Sequence, residues 1–116
     1  MTSSLSCILL LASSLLAAPQ VPNTVEWQEK IEYSTVGEVH LLMNLAIPKT
    51  GKGPFPTVLC IHGGGFRAGN RESYDGLCIK LAERGYVAAT ITYRLAPKHL
   101  FPAAVYDTKA AVRWLR

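Results

Sequence analysis

From Val25 onward the chain alternates: Val25, Trp27, Ile31 and Tyr33 are apolar, with Glu26, Gln28, Lys30 and Glu32 between them. A period of two sends successive side chains to opposite faces, so this stretch predicts a half-buried strand. Val36-Gly37-Glu38 supplies a turn, and Val39 to Ile47 reads as a second apolar strand, which together predict an antiparallel hairpin. The Pro- and Gly-rich segment from Pro48 to Pro54 is a loop. The pattern then changes. Thr57-Val58-Leu59-Cys60-Ile61 is a short continuous apolar run, as expected of a parallel strand buried on both faces. A glycine loop follows it. Ser73 is the expected cap of a helix whose apolar stripe is Leu77, Ile79, Leu81 and Ala82, with Gly85 as its stop. Tyr86 to Tyr93 predicts another buried strand, Arg94 to Pro102 a loop, and Ala103 to Arg116 a helix with Val105, Ala110, Val112, Trp114 and Leu115 as its apolar positions. The order is thus an antiparallel hairpin leading into a βαβα run, which predicts an α/β fold with helices packed on the faces of a parallel sheet.

The segment that carries chemistry is His62-Gly63-Gly64-Gly65-Phe66. It begins at the carboxyl end of a predicted buried strand, where open α/β sheets place their ligands. Consecutive glycines let main-chain N–H groups come close to a bound group. Donors held in this way can receive an oxyanion during acyl transfer. A phosphate cradle is the competing use of glycines. A dinucleotide site, however, needs Gly-x-Gly-x-x-Gly opening into a helix, and a P-loop ends in Gly-Lys-Ser/Thr. Neither pattern is present.

Composition narrows the function classes. The chain has 116 residues, room for one small domain, with 49% hydrophobic and 17% charged residues. Its net charge of +4 comes from scattered Lys and Arg, unlike the clustered basic face of a nucleic-acid binder. Residues 5 to 18 form an uninterrupted run of apolar and small residues, too short for a comfortable membrane span and of the length of a signal-peptide core. The expected organisation is a signal peptide at 1–18, a linker at 19–24 and a single α/β portion at 25–116. The location that follows is secreted or periplasmic, with an N-terminal membrane anchor as the alternative. Without Cys7, two cysteines remain. Cys60 in an apolar strand and Cys78 in a helix are expected to pack as small hydrophobes. No Cys/His spacing suggests a metal site, and no cofactor is expected.

Two stretches together resemble a known family. One is Val58 to Phe66, with its His-Gly-Gly-Gly-Phe core. The other is Tyr93-Arg94-Leu95-Ala96-Pro97-Lys98-His99-Leu100-Phe101-Pro102-Ala103-Ala104, followed by Asp107 and Trp114-Leu115. The sequence resembles the N-terminal part of α/β-hydrolases of the hormone-sensitive-lipase-like carboxylesterase branch; Lys98 stands where that branch has Glu. The resemblance implies that Gly64 and Gly65 supply oxyanion-hole N–H groups. It also implies that His62, Gly63 and Phe66 support the loop, His62 as an anchor and not as the catalytic base. Tyr93 and Arg94 are expected to make structural hydrogen bonds and ion pairs, Lys98 and His99 to lie at the surface, and Asp107 to cap or pair locally rather than serve as the triad acid.

The nucleophile elbow Gly-x-Ser-x-Gly does not occur in these residues, and no serine lies at a predicted strand-to-helix elbow. The expectation is a serine-dependent carboxylic-ester hydrolase whose nucleophile, acid and base lie outside this sequence, which is inactive by itself. The substrate would be a small-molecule or carbohydrate ester. The alternatives are a catalytically inactive, hydrolase-like binding module and a peptidase or amidase of the same fold. Oligomeric state stays open.

Overall fold

The structure, a computed structural model, describes residues 18–116. The predicted signal segment therefore lies outside the described residues, apart from Ala18. Strands β1 (Val25–Val36) and β2 (Val39–Pro48) form the expected hairpin, paired from Val25 opposite Pro48 to Val36 opposite Val39. Strand β3 (Thr57–Cys60) leads into the glycine loop and a single 3-10 turn at Arg71–Tyr74. Helix α1 (Asp75–Glu83), strand β4 (Val87–Ile91) and helix α2 (Ala103–Leu115) complete the order. The sheet runs β1-β2-β4-β3. β4 pairs with β3 in parallel and with β2 antiparallel, and so welds the hairpin to the βαβα unit.

Two hydrophobic clusters, one on each sheet face, form the core. One joins Tyr33, Leu41, Met43, Leu45, Ala89, Ile91 and Tyr93 to Ala104, Ala111 and Leu115 of α2. The other joins Val25, Ala46, Cys60 and Ala88 to Cys78 and Ala82 of α1. Alternation in β3 and β4 accounts for the division: Leu59 and Ala89 face α2, while Val58, Cys60 and Ala88 face α1.

In β1 the odd-numbered apolar residues do not share one face. The register shifts between Gln28 and Ile31, with Lys30 at φ +56°, and again between Glu32 and Ser34. An extra residue reverses the side to which later side chains point. Val25 and Trp27 therefore join the α1 side, while Ile31 and Tyr33 join the α2 side.

The helices also differ in detail from expectation. Asn70, not Ser73, caps the turn before α1, its Oδ1 accepting from the Ser73 N–H at 3.2 Å. Asp75, Cys78, Ile79 and Ala82 make the buried stripe of α1, while Leu77 is exposed. In α2, small residues Ala104, Ala110 and Ala111 pack inward with Leu115, whereas Val105, Val112 and Trp114 face outward. Of the expected stripes, Ile79, Leu81 and Ala82 in α1 and Ala110 and Leu115 in α2 pack inward, while Leu77, Val105, Val112 and Trp114 do not.

Candidate active site

The glycine loop hangs from the end of β3 and is fixed at its base by His62. This side chain is buried, its ring stacked on Tyr93 with centroids 4.5 Å apart. Its Nδ1 lies 2.8 Å from the Gly63 carbonyl oxygen. The Tyr93 hydroxyl donates to the His62 carbonyl at 2.6 Å, so β4 grips the loop through both ring and main chain. A His already engaged with its own backbone and a stacked ring is poorly placed to shuttle protons. Burial also raises the Tyr93 hydroxyl pKa, keeping it a neutral donor.

Beyond His62 the chain turns tightly. The Gly64 carbonyl accepts from Arg67 N–H at 3.1 Å and Ala68 N–H at 3.2 Å. Gly64 has φ +135°, and a Cβ there would sit 2.0 Å from the Ala68 carbonyl oxygen. Gly69, which the sequence reading did not single out, has φ +100° and packs where a Cβ would lie 2.5 Å from His62 Nδ1. Gly63, by contrast, has open space at its Cβ position. Gly64 and Gly65 are exposed, and among the described residues no acceptor takes either N–H. Phe66 has φ +62° and an exposed ring, while its carbonyl accepts from the Ala96 N–H at 2.8 Å. That bond ties the glycine loop to the loop after β4.

The second loop is held by Arg94 and Asp107. Asp107 is buried and takes the Arg94 main-chain N–H at 2.8 Å and the guanidinium in a forked arrangement at 2.8–3.1 Å. Every described contact of its carboxylate is to Arg94. Lys98 is exposed and His99 half-buried. Phe66, Ala96, His99, Leu100, Phe101 and Val105 line a largely apolar cavity of about 430 Å³ beside the loop.

Beneath the loop lies a buried polar network that the sequence did not disclose. Asn44 Oδ1 accepts from the Lys30 N–H of the β1 bulge and from Arg71 Nε, both at 3.0 Å. Asn44 Nδ2 donates to Asp75 at 2.8 Å. Arg71 also donates to Thr92, and its carbonyl accepts from Thr90. The return limb of the glycine loop is thus pinned to β1, β2 and β4. Isolated polar residues within apolar runs were the available signal, but their partners lie 14 to 31 residues apart.

A hairpin joined to a βαβα unit, with a His-anchored glycine turn at the end of β3, defines the N-terminal part of an α/β-hydrolase. Solved structures agree: esterase B from Lactobacillus rhamnosis, inhibited by a tributyrin phosphonate, superposes with TM-score 0.69 and 32% identity, over 84% of this chain and 32% of that one. The BD-FAE family model matches residues 43–116, and the chain belongs to that family, within the hormone-sensitive-lipase-like branch. Among its relatives, esterase LipI of Mycobacterium tuberculosis is 44% identical over 61 residues, 52% of this chain and 19% of LipI. The gibberellin receptor GID1 of Oryza sativa is 37% identical over 67 residues, 53% of this chain and 18% of the receptor. The chain spans about a third or less of the length of these relatives.

Proposed function

We propose that this chain supplies the oxyanion-binding part of a serine-dependent carboxylic-ester hydrolase. The observation that carries the proposal is the constrained turn at Gly64, which leaves the exposed Gly64 and Gly65 N–H groups without acceptors among the described residues. When a serine oxygen attacks an ester carbonyl, negative charge collects on the carbonyl oxygen. Two fixed main-chain donors stabilise that charge without having to reorganise, each by about 3 kcal/mol. His62, Gly63 and the Phe66 carbonyl hold the turn in place. The nucleophile, its acid and its base lie outside residues 1–116, and the reaction needs no cofactor. The apolar cavity beside Phe66 favours a hydrocarbon acyl or alcohol group, with acylated carbohydrates as a further substrate class. The signal segment at 1–18 directs export, which N-terminal sequencing of the exported protein checks.

Assay of a short-chain p-nitrophenyl ester separates the readings. A chain extended through a Gly-x-Ser-x-Gly elbow hydrolyses it, and residues 19–116 alone do not. Equal activity in the short chain would overturn the assignment, and a matched anilide tests amidase activity. The likeness to GID1, a receptor by name, favours one second reading: a binding module without chemistry. That reading requires the extended chain to bind ligand with no turnover.

A further inference from the structure

The glycine loop leaves β3 and returns to the 3-10 turn, and its two limbs are held by neighbouring residues just beyond β4. Tyr93 holds the outgoing limb through its contacts with His62. Thr92 holds the return limb, its Oγ1 accepting from the Arg71 guanidinium at 3.0 Å. Between these two grips the limbs meet at Gly69, where a Cβ would strike both the Gly63 carbonyl oxygen and the His62 ring. Arg71 is 9% exposed, and each of its guanidinium nitrogens has a partner: Nε on Asn44, Nη1 on Thr92 and Nη2 on Glu72 at 3.1 Å. Its own carbonyl takes the Thr90 hydroxyl at 2.8 Å. Backbone and side chain of one residue are thus tied to β4 and its continuation.

A buried guanidinium is a costly way to fill space. Of the three side chains that it touches, only Glu72 is charged, and that carboxylate is exposed. An apolar side chain of similar volume would avoid stripping water from a cation. What the guanidinium supplies is direction, because its rigid planar fork fixes the angle of each bond as well as its length. We infer that Arg71 is a positioning residue of the oxyanion turn. Through Thr92 and Asn44 it sets where Gly69 closes the loop against His62, and hence where the Gly64 and Gly65 N–H groups point. The inference rests on the oxyanion role proposed above for those two groups. Arg71 itself does not touch the substrate. A loosened loop still admits the ester but meets the developing oxyanion only part of the time, so its release lowers kcat and leaves KM nearly unchanged.

Two substitutions test this. Arg71→Met keeps a long side chain and removes the fork. Thr92→Val keeps the shape of its residue and removes one acceptor, so it reports even where Arg71→Met fails to fold. Deuterium uptake is followed in the full chain over residues 63–70, which include the Arg67 and Ala68 N–H donors to the Gly64 carbonyl. Uptake there should be about tenfold faster in Arg71→Met and rise less in Thr92→Val, with the double variant no faster than Arg71→Met and with β4 unchanged. An unchanged loop, or equal acceleration in loop and β4, would overturn the inference. In a chain extended through a Gly-x-Ser-x-Gly elbow, Arg71→Met should lower kcat for the p-nitrophenyl ester by about tenfold and move KM by less than about twofold. A raised KM at constant kcat would also overturn it. An extended parent chain without turnover would instead overturn the ester-hydrolase reading, and uptake over residues 63–70 would still decide whether Arg71 fixes the turn.

Discussion

Gly64 and Gly63 are neighbours with the same side chain and different obligations. A methyl group on Gly64 would run into the Ala68 carbonyl at 2.0 Å, and the turn's φ of +135° disfavours any L residue. Gly64→Ala is therefore expected to lower stability by about 3 kcal/mol or more, and to abolish turnover in the extended protein. Gly63→Ala meets nothing within 4 Å and should change stability by less than about 1 kcal/mol. Urea unfolding of the two variants checks the difference, and similar losses would mean the turn is not built as described. Asp107 offers a second test at this scale. It holds Arg94 by charge in a site shielded from water, so Asp107→Asn leaves a guanidinium without its counter-ion, at a cost of about 3 kcal/mol. Arg94→Lys keeps the charge and loses the fork, and should cost less. The sequence marked Arg94 and Asp107 as structural residues, and the structure joins them to each other. It did not show at which glycine a side chain would clash, since that depends on where Ala68 folds back.

Elements meet through the Asn44 network, where pH has a foothold. Burial lifts the Asp75 carboxyl above its ordinary value, and the Asn44 hydrogen bond only partly opposes this. The folded chain thus holds that proton more tightly than the unfolded chain does. The resulting stability is complete below the ordinary carboxylate pKa of about 4 and is lost as pH climbs through the folded value. Asp75→Asn keeps an oxygen for Asn44 Nδ2 and removes the titration. Its urea midpoint, measured at a series of pH values from 4 upward, should hold level where that of the parent chain declines; parallel curves would exclude Asp75 as the source. Strand and helix positions were legible here, because a period of two and an apolar stripe are local signals. The β1 bulge was not. Val25, Trp27, Ile31 and Tyr33 keep perfect parity along the chain, and only the buried Asn44, which takes the Lys30 N–H, shows why the parity breaks.

On the scale of the whole molecule, the two sides of the sheet's end are unequal. β3 is the last strand in the order β1-β2-β4-β3 and is four residues long. Beside it lie two apolar depressions, one lined by Thr57, Leu59 and Val112, the other by Ile61, Phe66 and Val105. Ile61, Val105, Val112 and Trp114 are each at least 40% exposed. An unpaired strand edge beside exposed apolar side chains is a template for association. The chain by itself should therefore self-associate, with an apparent mass in sedimentation that rises with concentration. Val112→Lys places a charge beside the β3 edge on an exposed position of α2, where it disturbs no core contact. It should shift the distribution toward monomer while leaving the helical circular dichroism unchanged. In a chain extended beyond Arg116, Val112→Lys should have the reverse consequence, destabilising the fold by about 1 to 3 kcal/mol as the charge becomes buried under the added strand and helix. Opposite effects of one substitution in the two chains would locate the surface on which the added residues pack; the same effect in both would place that surface elsewhere.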